Sequence, residues 1–587
     1  MKKLICIILI IIMILMAVPL TAIGQEEGSI SQYLDKTLSE MVNQKQVKGA
    51  IVSVVSNDIN ELCKGYGFTD EEKGIAAHKD NTAFRIGSIS KTFVTVAALQ
   101  LAQDGKLNMK APVSIYLERD FPKLKYDVTM NDLLTYTAGF EDMFSGIAVF
   151  DVNKADPLSL SVRKYLPAQV FAPGEVVSYS NYSIALAAYV VQRISGVNFY
   201  EYAEENIFKP LGMEKTSFKL DYRDVVVSKA YGTNGKEKPE PFMNLYPEGS
   251  VVSTAADMSK YMLWLMDDSN RILNTEVKQQ IFDQHFAMSN EFGGMGYTWN
   301  RLERNGALYY TKKGETPNFF SRIAIYPEQK TGVFVSVNTY VDEEKLNVIM
   351  DETTTLLLGS KRQQDVYTGA QTADISGYYI RTRSNFENQE NVVNFLTPQK
   401  AVHITGSINK GFSIEGKKLL PIGENYYSSP IGNFKYIKRD GGIYLANNSP
   451  DSYVRIPWYE SNGIQLFIFA MFAVLGMMMA VVGIIRLFRK KARSKYNFLE
   501  SLSILHFVLF IGMVILMVIG ISNLDMLKMA GIVSMCGILI VATSLCSVLY
   551  TVYVYTRKTF NAHNILLTAW SISNILFCLW MLQVNIL

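Results

Sequence analysis

A serine and a lysine three residues apart open a strongly apolar stretch of the sequence, Ser88–Gln103. On a helix, that spacing places the Ser88 hydroxyl and the Lys91 amine on one face. Burial disfavours the charged form of an amine, and the neutral form can accept a serine proton. The free N–H groups at a helix N-terminus can also stabilise an oxyanion. The pattern therefore predicts nucleophilic chemistry at Ser88. A capping serine beside a surface lysine is the alternative, which an otherwise uncharged, apolar helix disfavours.

A second candidate group is Tyr179-Ser-Asn181, which follows Pro173-Gly174. A loop there would deliver a phenol and an amide to the same place. A tyrosine near a lysine can pass a proton to a leaving group. An ordinary aromatic loop is the alternative, because the chain has 33 tyrosines.

The third candidate is Lys312-Lys-Gly314-Glu315, just before the strand-like run Phe319–Tyr326. A lysine at a strand edge could hold a substrate carboxylate or tune a neighbouring acid. The glycine would let a substrate backbone approach closely. A charged turn is the alternative explanation.

Two kinds of element must position these groups. Residues 30–360 alternate helix-like and strand-like segments with Gly and Pro between them. The stretch that begins at Ser88 is apolar on nearly all sides, so we expect a buried helix that ends at Gly105. Thr254 and Asp257 resemble a capping box for another helix. From Ile375 to Ile456, short β-like runs predict a small barrel or sandwich.

The two ends of the chain have a different character. Met1-Lys-Lys, an apolar run and small residues near Gly24 are typical of a secretory signal, with cleavage expected before Gln25 and an uncleaved anchor as the alternative. Four further apolar runs are long enough to span a bilayer: Ile464–Ile485, Leu502–Ile521, Met529–Tyr555 and Ile565–Val584.

Basic residues predict the orientation of these spans. The loop after the first span carries six Lys or Arg residues between Arg486 and Lys495, and the loop after the third carries Arg557 and Lys558. Such loops face the cytoplasm. Because four spans return the chain to the side on which it entered, the large domain and the C-terminus of this multi-pass protein are both expected outside.

Composition excludes several classes. The 587 residues are 49% hydrophobic, which is too apolar for a disordered chain. Five cysteines provide no disulfide framework, and five histidines show no metal-binding spacing. The net charge of +3 gives no support to a nucleic-acid partner. We therefore expect neither cofactor nor metal, and a lipid bilayer as one partner.

Taken together and in this order, the three groups resemble the serine β-lactamase and penicillin-binding protein superfamily, in its class C β-lactamase-like branch (peptidase family S12). That family carries Ser-x-x-Lys, Tyr-x-Asn and Lys/His-x-Gly. Four longer segments read like the same family: Phe84–Phe93, Val128–Gly139, Ile207–Met213 and Ser250–Asp257. Two positions depart from it: Lys-Lys-Gly-Glu replaces the common third motif, and Tyr136 replaces a common His.

The resemblance implies a role for each residue. Ser88 would be the acylated nucleophile, Lys91 its proton acceptor or electrostatic partner, and Tyr179 the general acid/base. Asn181 would hold the substrate amide, and Lys312 would act at the third motif. The backbone N–H groups of Ser88 and Glu315 would form the oxyanion hole. Which of Lys91 and Tyr179 takes the first proton stays open, and the altered third motif puts its binding of a substrate carboxylate in question.

The expected architecture is an α/β (α+β) β-lactamase/transpeptidase-like domain, a small all-β domain and a four-helix membrane region. The expected bounds are a signal over 1–24, the hydrolase over 25–360, a linker over 361–374, the β domain over 375–460 and the membrane domain over 461–587. The expected function is a membrane-anchored serine hydrolase acting on D-amino-acid peptides, with an ester or β-lactam substrate also possible. Two alternatives are a prodrug-activating D-aminoacyl peptidase and a penicillin-binding sensor without turnover.

Overall fold

The computed structural model describes residues 29–219, 226–362, 366–392, 394, 401–429, 432–439, 441–448, 450–488, 497–522, 526–555 and 562–587. The expected signal over 1–24 and the basic loop over 489–496 lie outside these residues. The strands before the barrel are β1 (Gly49–Ser56), β2 (Ile59–Asp70), β3 (Ile75–Ala76), β4 (Thr82–Arg85), β5 (Ala148–Val149), β6 (Val226–Val227), β7 (Ala230–Tyr231), β8 (Glu237–Lys238), β9 (Phe242–Met243), β10 (Val252–Ser253), β11 (Asn300–Arg304), β12 (Ala307–Glu315), β13 (Phe320–Tyr326) and β14 (Thr331–Val337). The helices before the barrel are α1 (Ile30–Asn43), α2 (Lys91–Gln103), α3 (Met130–Leu134), α4 (Leu158–Lys164), α5 (Asn181–Ser195), α6 (Phe199–Ala203), α7 (Lys209–Leu211), α8 (Ala255–Met266), α9 (Thr275–Gln279) and α10 (Glu343–Leu358).

A seven-stranded sheet in the order β11-β12-β13-β14-β1-β2-β3 forms the centre of this domain. Its inner strands are fully buried and rich in Val, Ile and Phe, as strands covered on both faces must be. Helices α1 and α10 pack on one face, and α8 packs on the other, next to the α2 and α5 layer. The expected α/β architecture is confirmed.

Helix α2 lies inside the helical layer, as its apolar sequence predicts. Its residues from Lys91 to Leu101 are all buried. The expected helix differs only at its start, where Gly87–Ser90 forms a 3-10 turn before the α-helix begins at Lys91. After the helix, Gly105 adopts a left-handed φ of 69°, which glycine accepts without strain. Thr254 caps α8 by accepting from the Asp257 amide, which is one of the two bonds of the predicted capping box.

The β domain is a closed eight-stranded barrel. Its interior is filled by side chains such as Tyr379, Ile404 and Tyr427, so it has a packed core rather than a channel. Closure pairs the first strand with the last and leaves no open edge. The strands are β15 (Gly377–Arg381), β16 (Ala401–Ser407), β17 (Gly411–Ile414), β18 (Lys417–Gly423), β19 (Tyr426–Ser429), β20 (Gly432–Arg439), β21 (Gly442–Ala446) and β22 (Tyr453–Ile456).

Four long apolar helices follow the barrel: α11 (Asn462–Phe488), α12 (Asn497–Ser522), α13 (Met526–Tyr555) and α14 (Ala562–Gln583). Each contains a segment long and apolar enough to cross a membrane. Near the end of α14, Asn585 donates from its side chain to the Phe386 carbonyl of the barrel, and Phe144 of the first domain packs against the helix bundle. The bundle, the barrel and the first domain therefore meet at one place.

Candidate active site

Ser88 lies in the 3-10 turn that precedes α2. The turn is fixed by Ser90, whose hydroxyl donates to the Gly87 carbonyl at 2.6 Å and accepts from the Val251 amide at 3.0 Å. Gly87 has a left-handed φ of 52°, and a Cβ at this position would lie 2.4 Å from the Glu315 nitrogen. The absence of a side chain at position 87 therefore lets the turn pack directly against the end of β12.

Lys91 meets Ser88 at the start of α2 and is fully buried. Its Nζ donates to Ser88 Oγ at 2.8 Å, to the Glu248 carbonyl at 2.5 Å and to Glu248 Oε2 at 2.8 Å. An ammonium group has three donors and no acceptor, so these partners use its full capacity. Glu248, at the end of the 3-10 turn Tyr246–Glu248, is only 4% exposed. The structure thus adds a carboxylate to the expected Ser-Lys pair.

Tyr179 is 7% exposed and lies beside both lysines of the site. Its ring centroid is 5.1 Å from Lys91 Nζ and 5.0 Å from Lys312 Nζ. The Tyr136 ring packs against it with centroids 4.6 Å apart. The three residues expected to transfer protons or hold substrate are therefore brought together.

Lys312 reaches the site from β12 and is 4% exposed. Its Nζ donates to the Tyr136 hydroxyl at 2.6 Å. Burial, followed by the nearby charges of Lys91 and Arg383, lowers the pKa of Lys312 well below its usual value. Burial also raises the pKa of Tyr136 well above its usual value. Tyr136, which the sequence marked only as a departure from a common His, is thus the hydrogen-bond partner of the third motif.

Gly314 and Glu315 end β12 next to the nucleophile turn. A Cβ on Gly314 would lie 1.9 Å from the Ile86 carbonyl oxygen, so glycine is needed here for the approach of the chain itself. The sequence interpretation expected this glycine to make room for a substrate backbone. The carboxylate of Glu315 pairs with Arg322 on the neighbouring strand β13 at 2.9 Å. The Glu315 backbone remains beside Gly87, where an oxyanion hole with Ser88 is expected.

Asn181 is the first residue of α5, two positions after Tyr179. Its Oδ1 is buried and has no hydrogen-bond partner among the described residues. Asn181 also lines a very small cavity together with Glu141 and Asp142. An amide with an unsatisfied oxygen next to the tyrosine suits the expected contact with a substrate N–H group.

Two residues of the site come from the barrel. The guanidinium of Arg383 lies 4.7 Å from the Tyr179 ring centroid, and its Nε pairs with Asp142 at 3.2 Å. The carboxylate of Asp451 accepts from the Tyr179 amide at 3.1 Å. Sequence reasoning missed both, because neither belongs to a local motif and each is more than 200 positions from Tyr179 along the chain.

Glu248 was missed for a different reason. It lies two positions before the family-like segment that begins at Ser250 and is not part of any of the three motifs. A single glutamate before a buried apolar run was the available signal.

In the described parts of the chain, no group of three or more His, Cys, Asp or Glu side chains is arranged to hold a metal ion.

Comparisons with known proteins identify the family of the chain. The family model for beta-lactamase matches residues 34–351, which is more than half of the chain. Protein flp of Staphylococcus aureus (strain N315) is 26% identical over 352 residues, which cover 57% of this chain and 68% of flp. A beta-lactamase of Yersinia enterocolitica is 27% identical over 347 residues, which cover 53% of this chain and 87% of that protein.

Solved structures with the same fold cover more of the chain. SurE matches with a TM-score of 0.54 at 18% identity, over 73% of this chain and 99% of SurE. The octameric penicillin-binding protein homologue from Pyrococcus abyssi matches with a TM-score of 0.50 at 18% identity, over 72% of this chain and 99% of that chain. The shared fold therefore extends past the segment that the family model covers. With its family-model match over more than half of the sequence, the chain belongs to the beta-lactamase family, in the superfamily of serine β-lactamases and penicillin-binding proteins.

Proposed function

We propose that the protein is a membrane-anchored serine hydrolase that forms an acyl-enzyme at Ser88. The observation that carries the proposal is the 2.8 Å hydrogen bond between Lys91 Nζ and Ser88 Oγ at the start of a buried helix. A serine hydroxyl is a weak nucleophile at its ordinary pKa. It needs a neighbouring group that removes its proton or stabilises the negative charge left on its oxygen. Lys91 is in position for that contact.

The proposed reaction has two steps. The Ser88 oxygen attacks the carbonyl carbon of an amide or ester, and the backbone N–H groups of Ser88 and Glu315 stabilise the resulting oxyanion. The serine proton passes to Tyr179 or Lys91, and Tyr179 returns a proton to the leaving amine or alcohol. Water then attacks the acyl-enzyme and restores Ser88, while the acyl group leaves as a carboxylic acid. Asn181 holds the substrate amide during both steps.

The charges around the site support a proposal for the substrate class. The Arg383 side chain is 37% exposed, and its guanidinium lies beside the Tyr179 ring. A guanidinium binds a carboxylate in two parallel hydrogen bonds. Arg383 thus offers the carboxylate contact that the altered third motif put in question. A peptide with a free carboxylate near the scissile bond fits this arrangement, and a structural relative, SurE, has been solved with D-Leu. We therefore propose D-amino-acid peptides as substrates.

The proposed location is the outer face of a cell membrane. Helix α11 begins and α14 ends next to the barrel, so the opposite ends of the bundle lie away from the candidate site. In the sequence, the two basic segments come directly after α11 and α13. Basic loops favour the cytoplasm, which supports an extracytoplasmic site held at the membrane surface.

The test is covalent labelling of the detergent-solubilised full chain by a fluorophosphonate probe and by a fluorescent penicillin. We expect at least one probe to label the wild type and neither to label Ser88→Ala. Ser336→Ala is the matched control, because it removes a buried hydroxyl that binds Ser321 within the central sheet and leaves the turn of Ser88 intact. A panel of peptides that differ only in the D or L configuration at the scissile bond then tests the substrate class.

Several outcomes would contradict the proposal. Labelling that persists in Ser88→Ala would move the nucleophile elsewhere. A wild type that neither probe labels would argue against acyl transfer. Labelling without release of any product would favour the sensor alternative, and faster hydrolysis of the L peptides would reject the proposed substrate class.

A further inference from the structure

The segment that carries Tyr179 has no regular secondary structure of its own. It runs from Val177 to Ser180, directly before α5. On its own domain's side, the Ser178 amide donates to the Tyr136 carbonyl at 2.9 Å. Its other side faces the barrel, where Ser178 forms a β-bridge with Asp451. A reactive side chain on such a segment depends on these neighbours for its position.

Each of three successive residues in this segment is hydrogen-bonded to the barrel. The Val177 carbonyl accepts from Thr382 Oγ1 at 2.8 Å. The Ser178 hydroxyl donates to the Thr382 carbonyl at 3.1 Å. The Tyr179 amide donates to Asp451 Oδ1 at 3.1 Å. The barrel therefore binds the segment at three successive residues, up to the amide of the tyrosine itself.

Thr382 is also hydrogen-bonded to Ser452, the residue that follows Asp451. The Thr382 amide donates to the Ser452 carbonyl at 2.8 Å, and the Ser452 amide donates to Thr382 Oγ1 at 3.1 Å. Thr382 and Asp451 thus lie on one rigid corner of a closed barrel, between the end of β15 and the start of β22. Nearby, Arg383 covers the Tyr179 ring from the same corner.

We infer that the barrel is a working part of the active site, in which Asp451 and Thr382 act as positioning residues for Tyr179. The inference rests on the proposed function, because it concerns proton transfer by the tyrosine of that site. A displacement of about 1 Å in a reacting group can reduce a rate about 100-fold. The Asp451 carboxylate and the Thr382 hydroxyl oppose such a displacement through the backbone of the segment.

The first test does not depend on activity. Hydrogen exchange of the full chain in detergent reports the protection of a peptide that covers residues 176–182. We expect Asp451→Ala to speed exchange there about 10-fold or more, since it removes the acceptor of the Tyr179 amide. Asp451→Asn keeps an acceptor oxygen and should stay close to wild type. Unchanged exchange in Asp451→Ala would overturn the inference.

A matched control exists in the same barrel. Asp374 Oδ1 accepts from the Ser376 amide at 2.9 Å, as Asp451 accepts from an amide, but this bond lies within the barrel. Asp374→Ala should therefore leave exchange over residues 176–182 unchanged. Should Asp451→Ala fail to fold, Thr382→Val provides the second variant, with a smaller effect in the same direction.

The second test measures the rate of Ser88 labelling. Asp451→Ala should reduce this rate about 10- to 100-fold in the wild-type background. In a Tyr179→Phe background it should cause no further loss, because residues that act through one group are not additive. Equal losses in both backgrounds would mean that Asp451 supports the fold in general and would overturn the inference. If the wild type is not labelled at all, the proposed function fails, and the exchange result still shows whether the barrel holds the tyrosine.

Discussion

Two lysines approach the same tyrosine from two regions of the molecule, and their surroundings differ. Lys91 comes from the start of α2 and Lys312 from β12. Both are almost completely buried, and both lie about 5 Å from the Tyr179 ring. Lys91 pairs with the Glu248 carboxylate, whereas Lys312 binds the hydroxyl of Tyr136 and faces two other cations.

This difference shows that burial alone does not decide the charge of a lysine. A buried ammonium is stable when a carboxylate offsets the lost hydration, and unstable when its neighbours are also positive. The sequence interpretation expected the neutral amine at Lys91. Burial, followed by the nearby charges of Lys91 and Arg383, lowers the pKa of Lys312. Lys91 differs in its partner, because it lies beside the Glu248 carboxylate.

The largest effect that separates the two lysines is expected from Lys91→Met. This variant leaves the Glu248 carboxylate buried without a counter-ion and should lower the free energy of unfolding by about 3–5 kcal/mol. Ser88 labelling should fall at least ~100-fold with the loss of the lysine contact. Denaturant unfolding of the full chain in detergent measures the first, and probe labelling the second.

The double variant Lys91→Met/Glu248→Gln is the control for that prediction. Removing the unpaired charge should restore much of the stability and none of the labelling. If Lys91→Met alone were as stable as wild type, the ion pair would not be the feature that distinguishes Lys91.

An intermediate, pH-dependent effect is expected from Lys312→Met. The folded-state pKa of Lys312 lies below its unfolded value, so between the two the unfolded chain binds a proton that the folded chain does not. The stability of wild type should therefore rise with pH from neutral toward ~10.5, the ordinary lysine value. The variant lacks this contribution, so its stability relative to wild type should be greatest near neutral pH and decline as pH rises.

Thermal midpoints measured from pH 7 to pH 10 test this prediction. Lys313→Met is the matched control, because Lys313 is half-exposed and pairs with Glu343 at the surface. Its difference from wild type should not decline in the same way. A constant difference between Lys312→Met and wild type would show that Lys312 carries its charge in the folded protein.

The smallest effect is expected from Tyr136→Phe, which removes only the hydroxyl that binds Lys312. Loss of one hydrogen bond should cost about 1 kcal/mol. Tyr326→Phe is a matched control, because that buried hydroxyl binds Thr354 on the other side of the sheet. Both variants should lose similar stability, but only Tyr136→Phe should change the labelling rate. Equal labelling rates in the two variants would show that the Tyr136 hydroxyl has no part in the reaction at Ser88.

Much of the fold could be predicted because local patterns carry it. The apolar run after Lys91 predicted a buried helix, and four uninterrupted apolar runs predicted four membrane-capable helices. Short β runs with turn residues predicted a small barrel or sandwich, and the structure shows the barrel. For the site, the motifs predicted Ser88, Lys91 and Tyr179, and the structure places these three residues close together. Spacing works there because Ser88 and Lys91 lie on one helical turn.

The rest of the site depends on contacts between distant parts of the chain. Glu248 reaches Lys91 from 157 positions away, and Asp451 reaches Tyr179 from 272 positions away. Periodicity and short motifs contain no information about such pairs. The reason for Gly314 was also hidden, since only the packed structure shows the Ile86 carbonyl where its Cβ would lie.

The amino-acid sequence by itself therefore determined the class of chemistry, the buried helix that carries it and the membrane-capable end of the chain. These depend on residue type, spacing and length, which act over a few helical turns. The tertiary structure alone decided which lysine has a counter-ion and which domain holds the tyrosine. Charge state and position inside a protein depend on the groups that folding brings within a few ångströms, whatever their distance along the chain.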